Sequence, residues 1–111
     1  MKLLLTFVLL GIWAGSALAQ QPAVQRETQH RFGLLATRAV ANFRSADSIE
    51  ANLRERGQTL NPQLVALRLR ILGALDEARA DIGQSDFVAA NDALDRAQGF
   101  LDRFAQSLGG F

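Results

Sequence analysis

The chain has 111 residues, no cysteine, and 12 basic against 11 acidic side chains, a formal net charge of +1. Disulfides, thiol nucleophiles, thiolate metal sites and cysteine-linked lipid are excluded. The signs are interspersed and nearly balanced, which argues against a basic field able to hold nucleic acid or an anionic membrane.

Lys2 opens a short positive start, Leu3 to Ala14 is apolar, and Ala17-Leu18-Ala19 places small residues where a processing enzyme cuts. This is the layout of a secretory signal peptide with cleavage after Ala19. The apolar run falls short of the roughly 20 residues that span a bilayer. The expected location is therefore periplasmic or secreted, with no stable membrane anchor after cleavage. Lys2 is the only lysine, so its removal leaves arginines and acids in balance. The remaining residues, 20–111, are expected to form a single domain.

Gln20 to Gln25 is polar, contains Pro22, and reads as a frayed leader. From about 24 to 56 no proline occurs and alanine, leucine and arginine favour helix. Phe32, Leu35, Ala36, Ala39, Phe43, Ala46, Ile49 and Leu53 recur at steps of three and four and share one face. Glu27–Arg31 and Glu50–Arg54 have the spacing of favourable i,i+4 pairs.

Gly57 to Pro62 is the first break. Gly57 suits the left-handed position after a helix. Asn61 caps the next one, and Pro62 fits its first position. Leu60 and Val65 have the spacing of a hydrophobic staple. The second helix, about 62–82, carries Leu64, Leu67, Ile71, Leu75, Ala78 and Ile82 as its main stripe. Val65, Leu69 and Leu72 widen that stripe, which implies packing by two neighbours. Gly73 inside it suggests the close approach of another helix.

Gly83-Gln84-Ser85 is the second break, with Ser85 as the expected cap of a helix over about 86–108. Phe87, Ala90, Leu94, Ala97, Leu101, Phe104, Leu108 and Phe111 alternate steps of three and four. Such a strict a/d seam packs knobs-into-holes against another helix. Asp92–Arg96 is a further i,i+4 pair. Two short connections make the helices antiparallel neighbours. The expected fold is all-α, a small antiparallel three-helix bundle or a helical hairpin with a long first helix.

Chemistry-bearing patterns are few. The sole histidine, His30, forms a single Glu-x-x-His with Glu27, half of what a di-iron bundle needs. Asp76, Glu77, Asp81 and Asp86 gather near the second turn but lack a calcium-binding loop. No serine has a candidate base besides His30. No catalytic, cofactor-binding or metal-ligating residue is expected.

The stretch from about Ala74 to Phe104 resembles a tetratricopeptide-type helical hairpin. Ser85-Asp86-Phe87 stands where that family often has Gly-Asp-Tyr. Ala90, Leu94 and Ala97 match the small–large–small positions of its second helix, and Ala78 the small position of its first; Asp81 replaces the usual aromatic. The resemblance covers one unit, whereas arrays need about three. It implies peptide or protein binding. In class the chain also resembles the Spy-type periplasmic chaperones, although their Leu-Thr-x-x-Gln motif is met by Thr59-Leu60-Asn61-Pro62-Gln63 with the first two residues exchanged.

The sequence thus leads to a non-catalytic exported helical protein that acts as a periplasmic protein-binding or scaffold module. The alternative is a chaperone-like protein holding unfolded clients on an exposed Phe/Leu surface. Phe100, beside the seam, and Phe111 are the candidate protein-binding residues. The partner is an unidentified protein or peptide, not nucleic acid. A monomer is expected, with helix-mediated dimerisation as the variant.

Overall fold

The computed structural model describes the backbone of residues 2–109 and the side chains of residues 22–109. It contains three helices in chain order: α1 (Lys2–Glu55), α2 (Pro62–Gly83) and α3 (Phe87–Gly109). The 54 residues of α1 amount to roughly 80 Å at 1.5 Å per residue. That length sets the long axis of a molecule measuring 83 × 20 × 17 Å. α2 and α3 form an antiparallel hairpin with the most extensive packing, and α1 lies along it, closer to α3 than to α2.

Gln20 to Gln25 is helical, not a frayed leader, and α1 continues through Pro22. A proline inside a helix loses one backbone hydrogen bond and crowds the preceding turn. The alanine, leucine and glutamine on either side are strong helix formers that continue through it. Residues 22–27 are all exposed, and Thr28 is the first buried position among the described side chains. Among the described residues, no helix is long and apolar enough to cross a membrane.

Both connections end their helices in the same way. After α1, the Gln58 N–H reaches the Leu53 carbonyl at 2.8 Å and the Gly57 N–H reaches Arg54 at 3.0 Å. This is a Schellman motif with Gly57 at the left-handed position, φ 73°. After α2, Asp86 N–H bonds Asp81 at 2.9 Å and Ser85 N–H bonds Ile82 at 3.0 Å. Here the left-handed residue is Ser85, φ 59°, a conformation that a side chain disfavours. Ser85 therefore terminates α2 and does not cap α3. The cap is Asp86, whose Oδ1 accepts from the Ala89 N–H at 3.2 Å. At the start of α2, Asn61 accepts from the Gln63 N–H at 3.0 Å ahead of Pro62, as its sequence position indicates. Leu60 turns into the core, but Val65 stays 48% exposed, so the expected staple does not close.

The core joins all three helices. Leu35, Ala39, Phe43 and Ala46 of α1 join Leu64, Ile71, Leu75 and Ala78 of α2 and Ala93, Leu94, Ala97, Leu101 and Phe104 of α3 in one cluster. The a/d seam of α3 is buried from Phe87 through Phe104, with Leu108 partly buried beyond it. Phe111, the last residue of that seam in sequence, lies outside the described residues. Phe43 and Phe104 pack edge to face with ring centroids 5.5 Å apart.

Gly73 is not a close-approach site: a β-carbon there would meet nothing within 4 Å. It is exposed in the interior of α2. Gly73→Ala is therefore expected to stabilise the protein by about 0.5–1 kcal/mol through helix propensity and reduced unfolded-state entropy. Thermal melts of the two forms test this, and a lower midpoint for the alanine form would contradict it.

Candidate functional site

Most polar groups between the helices serve to fix α1 on the hairpin. Asn91 Nδ2 of α3 donates to Thr28 Oγ1 at 3.0 Å and to the Phe87 carbonyl at 2.8 Å. Arg31 donates to Asn91 Oδ1 at 3.2 Å, to Asp95 at 2.5 Å and to Gln98 at 3.1 Å. Thr28 is only 2% exposed, and the bond from Asn91 satisfies its hydroxyl oxygen. One turn and more along, Arg38 pairs with Asp102 at 2.8 Å. On the α2 side, Arg68 pairs with Asp47 at 2.8 Å and lies 4.6 Å over the Phe43 ring.

Two of the three i,i+4 pairs expected from sequence are replaced by contacts between helices. Arg31 reaches across to α3, not back to Glu27. Arg96 bonds Glu77 of α2 at 2.6 Å and not Asp92. That hydrogen bond, with the attraction of the same carboxylate, raises the Arg96 pKa above its ordinary value. Only Arg54–Glu50 forms within one helix, at 2.7 Å. A contact between helices joins groups already placed by the core, so it competes well with a local pair on a free surface.

The acids near the second turn divide among structural tasks. Glu77 is held by Arg96, and Asp86 caps α3. Among the described residues no group of three or more metal-ligating side chains comes together. Glu27 and His30 are both exposed on α1. A broad open hollow of about 660 Å³ lies at the start of α3, bordered by Val24, Phe87, Val88, Asp86, Asp92 and Asp95. Its lining among the described residues carries three aspartates and no histidine.

Of the two candidate binding residues, only Phe100 lies among the described residues. Phe100 is half-buried and packed against the core, so its ring is not freely presented. Phe111 falls outside the described residues. The exposed large aliphatics of α2 are Val65 at 48%, Leu69 at 66% and Leu72 at 44%. Steps of four and three put them on one helix face, spanning roughly 10 Å. The Asp47–Arg68 pair fixes the antiparallel register of α1 and α2. One heptad before Asp47, on the same side of α1, stands Val40, 50% exposed. Counted from that pair, Val40 falls at the level of Leu75 on α2.

From the sequence, these α2 residues look like a second buried face. The helix does have two neighbours, but α1 packs on it less extensively than α3 does, with Arg68 reaching Asp47 and the Phe43 ring. That leaves the flank beyond open. Comparisons with family models, with curated proteins and with solved structures find no match for this chain.

Proposed function

We propose that this protein is a non-catalytic, exported protein-binding module whose docking surface is the Val65–Leu69–Leu72 stripe of α2, extended by Val40. The observation behind this reading is that the stripe stays exposed although the bundle core is complete without it. Scattered surface aliphatics are ordinary, but aligned ones on one face fit the apolar side of a partner. A helix laid along such a face would supply anchors at the same i, i+4, i+7 spacing. The tetratricopeptide-like features of α2 and α3 accord with peptide or protein binding.

The chaperone-like alternative calls for a broad Phe/Leu surface. The described phenylalanines are all buried or half-buried, and this favours a dedicated partner over many unfolded clients. Export rests on the signal-like first nineteen residues.

Affinity purification from the cell envelope tests these points together. The recovered chain should begin at Gln20 and carry one or a few defined proteins. It should not suppress aggregation of unrelated denatured proteins. An intact Met1 form in the cytoplasm would overturn export, and general suppression of aggregation would favour the chaperone.

A further inference from the structure

A second surface lies on the opposite flank of α2, where it faces α3. The Glu77–Arg96 pair fixes the antiparallel register of these two helices. One heptad back along α2 from Glu77 is Arg70, and one heptad forward along α3 from Arg96 is Arg103. The position that holds an ion pair at one level therefore holds two arginines at the next. Both line one groove of about 380 Å³, together with Gln63, Leu67, Gln106 and Ser107.

Among the described residues, no acid neutralises them. Neither arginine has an acid at i±3 or i±4 in its own helix, and neither has an acidic partner among the described residues. Asp102, next to Arg103 in sequence, is engaged by Arg38. Like charges facing each other across a helix seam are destabilising. An anion between them reverses the sign of that term. The positive start of α2 and the negative end of α3 lie side by side here and largely offset, so the two guanidinium groups dominate the local field.

We infer that this groove binds a phosphate-type dianion gripped by Arg70 and Arg103. Two planar guanidinium forks each match a pair of oxygens on one oxyanion. A dianion balances both charges, whereas a single carboxylate leaves one uncompensated and has only two oxygens to share. Gln63 and Gln106 supply amide donors at the rim. The site is independent of the docking stripe, because it lies on the α3 side of α2.

The test uses the full chain, with inorganic phosphate and chloride compared at matched ionic strength. At tenfold excess over Kd, phosphate should raise Tm by about 5 °C or more beyond chloride. Arg70→Gln/Arg103→Gln should abolish this rise; both residues are exposed, so the fold should survive. Arg103→Glu should rebuild a Glu–Arg pair, raising Tm without phosphate and removing the response to it. A parallel flotation assay uses phosphatidylcholine vesicles with and without phosphatidic acid. Flotation that needs phosphatidic acid and both arginines assigns the phosphate to a lipid headgroup. A response to inorganic phosphate alone assigns it to a soluble ligand. No effect beyond chloride in either arm, or an effect retained by the double glutamine variant, overturns the site.

Discussion

Leu101→Ala should destabilise the protein by about 3–5 kcal/mol, the upper part of the range for a buried leucine. Leu101 is 0% exposed at the centre of the α3 seam. Two of its core neighbours on the same helix are alanines, at 93 and 97. Alanine has no rotamers with which to fill a cavity, so relief would require the helices themselves to move together. Phe104 and Leu94, also fully buried, are held by packing on both sides. Small domains have a total stability of about 5–15 kcal/mol, so the loss is a large share. Urea titration should show a lower midpoint at unchanged m. A change below about 0.5 kcal/mol would mean that the seam is not part of a core. Phe100→Ser, at a half-buried position, should cost less and leave partner binding intact.

Leu69→Glu/Leu72→Glu should have the opposite profile, with little effect on the fold and a large effect on binding. Glutamate is a good helix former, and the two leucines are 66% and 44% exposed. The melting curve should therefore move only slightly. If a partner covers the stripe, the exposed part of each leucine is buried on binding. That burial contributes about 1–2 kcal/mol per residue, and a glutamate in its place also has to be desolvated. The combined loss of about 2–4 kcal/mol weakens affinity some 30-fold or more. Titration of the purified partner against both forms measures it. Equal affinity would remove the stripe from the binding surface.

Much of the fold is legible in the sequence because its signals are local. Gly57, Asn61 and Pro62 mark the first connection through backbone preferences that hold in any fold. The seam of α3 is legible because steps of three and four leave one arrangement that buries Leu94, Leu101 and Phe104 together. Other features depend on what lies across the gap. Ser85 and Asp86 are both good capping residues, and only the closing hydrogen bonds to Ile82 and Asp81 decide which of them terminates and which caps.

Gly73 reads equally well as a contact or as an open surface until the neighbouring helix is placed. Val65, Leu69 and Leu72 have the periodicity of a buried face. The sequence does not state how far around α2 the first helix reaches. The arginines at 70 and 103 are thirty-three positions apart, and they face each other only once the register of Glu77 with Arg96 is known.

Site-specific photo-crosslinking in the intact cell envelope tests the central claim most directly. A photoreactive side chain is placed singly at Leu69, at Leu72 and, for comparison, at Phe100 and at Val88. Val88 is 86% exposed at the start of α3 and stands apart from the stripe. The positions at 69 and 72 should each give the same one or few discrete products, and 88 and 100 should give none. Products from Val88 or Phe100 with none from Leu69 and Leu72, or an even smear from every position, would contradict docking through the outer face of α2.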